Sequence, residues 1–257
     1  MSLASTVMRM CGNPLLRITD LVIRYGSFTA VNKVSFQLGP GDVYCLLGPN
    51  GAGKTSTIKA IVGLVKPVEG SISICGKNPL TDIDAKNYIG YVAEDPILIE
   101  SLTTREHIEF VAAVRGVGKE SEEWVNYLIK AFDFTFNLDK PVYTSSRGNK
   151  QKASLILALM HKPKILILDE PFTGLDFQSS SIIKNIIEDW KNSQNGILMS
   201  THILEVAERI CTRVGVIISG RLIFEDSTEN VKARLLGEDK FARLLNELTS
   251  NPILGNK

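Results

Sequence analysis

The sequence predicts an α/β core interrupted by a mostly helical insert. Three observations carry that prediction. Residues 43–47 are a continuous apolar run of strand length, and 164–168 read as a second buried strand in which Lys164 precedes four apolar residues. Residues 55–65 and 179–190 carry apolar side chains at helical spacing. Between about residues 95 and 160 helical periodicity dominates and β-type runs are scarce.

Taken in order, residues 15–25 read as a strand with a β-branched run at Val22 and Ile23. Residues 34–38 alternate apolar and polar and read as a second strand. Gly39-Pro40-Gly41-Asp42 is a turn before the buried run at 43–47. A glycine-rich loop and the helix at 55–65 follow, then strands at 71–75 and 88–93. The insert holds helical patterns at 107–114 and 122–132. Strands are expected again at 164–168, 197–200 and 214–219, with a helix at 203–210, and residues 222–224 close the sheet. Residues 225–257 read as one or two short helices and a polar tail, and residues 1–13 as a leader outside the fold.

A chain of 257 residues allows one large domain or two small ones. Its 44% hydrophobic and 22% charged residues exclude disorder and a coiled-coil rod. A net charge of +1 leaves no global field to steer it to nucleic acid. No apolar run reaches the roughly 18 residues of a membrane span. Cys11, Cys45, Cys75 and Cys211 contain no C-x-x-C pair, so buried free thiols in a reducing compartment are expected. His107 and His161 have no motif around them and are assigned to surface or packing.

Gly48-Pro49-Asn50-Gly51-Ala52-Gly53-Lys54-Thr55 fits G-x-x-x-x-G-K-[ST] at every fixed position, with Ser56 next in the helix. Glycines let the backbone curl so that N–H groups face an anion, and the helix adds its positive N-terminus. Lys54 suits the β- and γ-phosphates, and the Thr55 hydroxyl suits Mg²⁺. A second apolar strand ends in Asp169-Glu170-Pro171. Beside the phosphate loop, Asp169 would face Mg²⁺ and Glu170 would polarise a water at the γ-phosphate.

With these residues the chain resembles the nucleotide-binding domain of ATP-binding cassette (ABC) transporters over about residues 15–225. Ser145-Ser146-Arg147-Gly148-Asn149-Lys150-Gln151 resembles the family's signature motif, Thr173-Gly174-Leu175-Asp176 its D-loop, and Ser200-Thr201-His202 its switch histidine. Glu94 stands at the Q-loop position, and Tyr25 where the family stacks an aromatic on adenine. The resemblance implies the P-loop ABC-ATPase fold, a mixed sheet with an antiparallel β subdomain and a helical subdomain at about 95–160. It assigns residues 14–225 to the domain and 226–257 to a short helical extension.

It further implies two such domains, identical chains here, that sandwich two ATP molecules with Mg²⁺ held by Thr55, Glu94 and Asp169. Ser146 and the Gly148 amide would contact the partner's γ-phosphate, Asp176 would link the two sites, and His202 would hold the catalytic geometry. A polytopic membrane subunit would dock near Glu94 through Leu102 and the helical subdomain, placing the ATPase on the cytoplasmic face of the cell membrane. Two departures stand out. The signature keeps only the serine and second glycine of Leu-Ser-Gly-Gly-Gln, with Arg147 expected to face solvent, and Glu94 replaces the usual glutamine. Glu94, with the compact tail, favours an exporter by analogy. The alternatives are a soluble ABC ATPase on nucleic acid or ribosomes, and a regulator that binds nucleotide without hydrolysis. No nucleic-acid partner is expected.

Overall fold

The computed structural model describes residues 14–234. The leader at 1–13 and the tail beyond 234 lie outside the described residues. β1 (Leu16–Tyr25) and β2 (Phe28–Leu38) form an antiparallel hairpin closed by Gly26 and Ser27. Gly26 has φ 60°, the conformation that a two-residue hairpin loop requires. β2 therefore begins six residues before the alternating stretch at 34–38, because pairing with β1 continues to the turn. β4 (Glu69–Ile74) pairs with the other edge of β1, giving a three-stranded antiparallel sheet in the order β2-β1-β4.

The second sheet is built on β3 (Val43–Leu47), buried at every residue. Its other strands are β5 (Ile89–Val92), β6 (Ile165–Asp169), β7 (Gly196–Thr201), β8 (Arg213–Ile218) and β9 (Arg221–Ser227). The order is β5-β6-β7-β3-β8-β9, parallel except for the antiparallel β9. The mixed sheet and separate antiparallel sheet agree with the expected fold class. β9 continues to Ser227, two residues past the expected domain boundary at 225.

Alternation along the strands divides the core into two layers. Val43, Cys45 and Leu47 face the helical side, together with Leu166 and Leu168. Tyr44 and Leu46 face the antiparallel sheet, together with Ile165 and Ile167. The helices are α1 (Lys54–Ile61), α2 (Thr104–Arg115), α3 (Glu122–Ala131), α4 (Arg147–Leu159), α5 (Phe177–Asn192), α6 (Leu204–Ile210) and α7 (Thr228–Arg234). α1 stops at Ile61, short of the expected Val65, and Gly63 beyond it has φ 78°. α2 opens with a capping box, in which Thr103 and Glu106 satisfy each other's backbone N–H groups. α4 has no counterpart among the helices read from periodicity. Its first turn is polar, and its buried residues begin only at Gln151.

Cys45 and Cys211 are free and buried, as expected. Cys75 corrects the expectation of free thiols, since it is disulfide-bonded. It stands just past β4, half-buried and packed against the core layer on the antiparallel-sheet side.

His161 packs as expected, with Nε2 3.0 Å from the Ile89 carbonyl and 3.1 Å from Arg115 Nη1. Burial, with the Arg115 charge second, lowers its pKa to about 4. Above the unfolded value of about 6.5 the ring is neutral in both states. As pH falls from there toward about 4, only the unfolded chain takes up the proton, and stability is lost. His161→Gln is expected to flatten the fall of Tm between these pH values. An unchanged profile in thermal melts contradicts this.

Candidate nucleotide-binding site

The loop between β3 and α1 forms the floor of a cleft of about 410 Å³. Gly53 is the N-cap of α1 at φ 110°, and a Cβ there would lie 2.6 Å from the Ala30 carbonyl oxygen. Only glycine fits that close approach in that conformation. No side chain caps α1, and its first turn carries no acidic residue. The first N–H groups of the helix are thus available to an anion. Lys54 opens the helix and is 6% exposed. Its Nζ donates to the carbonyls of Gly48 (2.7 Å) and Pro49 (3.3 Å) and lies 3.6 Å from Glu170 Oε1.

The acidic wall comes from sheet register. Parallel pairing of β6 with β7 sets Asp169 opposite Ser200. The buried Ser200 hydroxyl donates to Asp169 Oδ1. The Glu170 N–H donates to both the Ser200 carbonyl and hydroxyl at 3.2 Å. This grip holds Glu170 at φ 48°, a left-handed conformation uncommon outside glycine and frequent at functional sites. Glu170 Oε1 accepts from His202 Nδ1 at 3.0 Å. An ionised carboxylate only accepts, so Nδ1 carries the proton. Burial raises the Asp169 pKa, while the Ser200 and Thr55 hydroxyls pull it down, the nearby Glu170 raises it further and Lys54 lowers it.

Asp169 Oδ2 and Glu170 Oε2 are buried and accept no hydrogen bond of good geometry. Asp169 Oδ2 and the neighbouring Thr55 hydroxyl are oxygen donors that fit Mg²⁺. Among the described residues no cluster of three or more His, Cys, Asp or Glu side chains forms a metal site.

Tyr25, residues 50–56, Glu94 and Glu170 line the cleft. Gly48 and Pro49 contribute their carbonyls to Lys54. Phe28 and Ala30 also line it and were not read from the sequence. The hairpin pairs Tyr25 with Phe28, so two largely exposed aromatics stand side by side at the rim. The sequence marks Ser200 only as the first residue of the switch motif, at the end of an apolar strand run, and carries no signal of its bond to Asp169.

Ser146, Gly148 and Asp176 do not line this cleft. Ser146 caps α4 by accepting from the Asn149 N–H at 3.3 Å. Asp176 caps α5 through the Ser179 N–H at 2.7 Å and lies 3.3 Å from Lys152. The Ser179 backbone bond is the first cause that lowers its pKa to about 2. Gly148 packs toward Gly174, where an added Cβ would be 3.3 Å from the carbonyl oxygen. Arg147 is exposed, in line with the expectation that it faces solvent. Its guanidinium also binds Asp95 at 3.0 Å because the segment after β5 crosses the start of α4.

Residues 31–173 match the ABC transporter family. The ATP-binding protein EcsA of Bacillus subtilis is 36% identical over 210 residues, which cover 81% of this chain and 85% of EcsA. Human ATP-binding cassette sub-family A member 10 is 36% identical over 208 residues. That match covers 79% of this chain and 14% of the human protein. A solved ATP-binding subunit of an ABC transporter superposes with a TM-score of 0.86 at 33% identity, covering 91% of this chain and 99% of that one. With the phosphate loop, the acidic strand end and the sheet order that joins them, these matches show that the chain belongs to the ABC transporter family and carries its ATP-binding cassette.

Proposed function

We propose that this chain hydrolyses ATP as a homodimer and drives a separate polytopic membrane subunit from the cytoplasmic face of the membrane. The observation that carries the hydrolytic part is Glu170, a buried carboxylate beside Lys54 and His202 at the mouth of the phosphate loop. Lys54 and the α1 N-terminus bind the phosphates. Tyr25 and Phe28 offer faces for adenine. Glu170 accepts the proton of the attacking water, and His202 orients that carboxylate. Thr55, Asp169 and Glu94 hold Mg²⁺, which neutralises charge on the phosphates. The intact Lys54, Asp169 and Glu170 disfavour a regulator that only binds nucleotide.

Ser146, Gly148 and Asp176 lie at the starts of α4 and α5, away from this cleft. That position suits contacts to ATP held by a second copy, as in the family's sandwich. Among the described residues no helix is long and apolar enough to cross a membrane. A groove of about 320 Å³ lined by Leu64, Ala93, Ile97, Leu98, Val111 and Leu157 suits a short amphipathic segment of a membrane partner. Arg115 also lines it. This guanidinium is half-buried, has its pKa lowered by burial, and pairs with no carboxylate among the described residues. An acidic side chain on the docking segment would complete it. We assign export, by analogy, on Glu94.

A photo-crosslinking residue in place of Ile97 tests the partner in native membranes. Crosslinks to a polytopic membrane protein are expected. Crosslinks to ribosomal or nucleic-acid-bound proteins alone overturn the transporter reading in favour of the soluble alternative. The transporter names of two Bacillus subtilis relatives, YhaQ and EcsA, already favour the membrane partner.

A further inference from the structure

The segment after β5 is fastened to the first turn of α4 by two ion pairs. Arg147 Nη2 donates to Asp95 Oδ1 at 3.0 Å. Lys150 Nζ donates to both Glu100 oxygens, at 2.8 and 2.9 Å. Arg147 and Lys150 are three residues apart and share one helix face. Asp95 and Glu100 bracket the apolar residues 96–99, of which Ile97 and Leu98 line the groove. The backbone adds two bonds, from the Tyr143 N–H to the Glu100 carbonyl (3.0 Å) and from the Val142 N–H to the Leu102 carbonyl (2.9 Å). On the other side His107 Nε2 accepts the Ile99 N–H at 2.9 Å. Its Nδ1–H therefore donates to the Thr103 carbonyl at 2.8 Å.

These ties make the segment part of the helical unit, while its link to the ATP cleft is a short stretch of chain. β5 ends at Val92, Glu94 lines the cleft, and Asp95 is already held by α4. The same first turn of α4 carries Gly148 and is capped by Ser146.

We infer that Arg147 and Lys150 are positioning residues, which lock residues 95–100 to α4 so that displacement of the groove segment carries Ser146 and Gly148 with it. This rests on the ATP-sandwich reading above. Single exposed pairs contribute little. Here two pairs tie opposite ends of one loop to one helix face, so the loop and helix turn as a unit. A carboxylate shift at either end of the loop becomes a shift of the surface offered to the second copy's nucleotide.

The test uses the full chain with Glu170→Gln, expected to bind ATP while turning it over far more slowly, and reads ATP-driven dimerisation by sedimentation. Glu100→Lys and Lys150→Glu are each expected to weaken association about fivefold, the scale of losing an exposed pair and adding repulsion. Their combination restores the opposite-charge pair and is expected to return association to within about twofold of the parent. Asp95→Arg with Arg147→Asp should behave likewise. ATP affinity of the monomer should not change in the Glu100 and Lys150 variants, which a general loss of folding would not allow. Glu100→Gln supplies a milder variant should a reversal impair folding, with a smaller loss expected. Unchanged association in the single variants, or a double variant no better than the summed singles, overturns the lock and leaves the sandwich standing. A Glu170→Gln parent that stays monomeric with ATP overturns both.

Discussion

Glu170→Gln is expected to lower kcat for ATP hydrolysis by about 10²–10⁴-fold, the range for loss of a general base. ATP affinity should stay within about threefold, because the side chain acts in the transition state more than in binding. Glutamine keeps the size of the side chain and an oxygen that accepts the His202 Nδ1–H. It loses the negative charge and the basicity. The buried Oε2, without a hydrogen-bond partner of its own, is the atom whose chemistry changes most. Steady-state phosphate release, with nucleotide binding measured on the same protein, separates the two effects. Equal turnover in both proteins sinks the assignment of Glu170 as the base.

Lys54→Ala is expected to act on binding. Its ammonium is the buried cation facing the acidic wall, 3.6 Å from Glu170, in a slot 6% exposed. Hydrogen bonds to charged groups contribute about 1.5–3 kcal/mol, so loss of this cation should weaken ATP binding on the order of 100-fold. The removal also leaves the Glu170 carboxylate buried without a cationic partner, which costs stability. Lys54→Arg should not rescue fully, because a planar fork does not fit a slot shaped for a compact ammonium. Calorimetric titration with ATP is the check. Near-normal affinity for Lys54→Ala would mean that the loop amides and Mg²⁺ hold the phosphates unaided.

The two halves of the cleft differ in how plainly the chain announces them. The phosphate loop places its glycines, Lys54 and Thr55 on consecutive residues, so strand, turn and helix all report on one short stretch. Asp169 and Glu170 follow the same logic, at the end of a run too apolar to be anything but buried. The aromatic rim does not. Phe28 looks like an ordinary strand residue until the Gly26-Ser27 turn pairs it with Tyr25. α4 escapes a periodicity reading because its first turn is built from Arg147, Gly148, Asn149 and Lys150, polar residues used for capping and pairing.

Charge and burial patterns along the chain thus suffice for the α/β class, the element order and the chemistry of the two motifs. They follow from local backbone geometry and from alternation, which neighbouring residues express without help. The assembly of the site depends on register between distant strands. Ser200 reaches Asp169 across 31 residues only because β7 lies beside β6 in step. Arg147 finds Asp95 across 52 residues only because the helical insert folds back on the segment that follows β5. Such contacts have no periodic signature. They arise when the sheet order β5-β6-β7-β3 brings strand ends together, and packing free energy summed over the whole core selects that order.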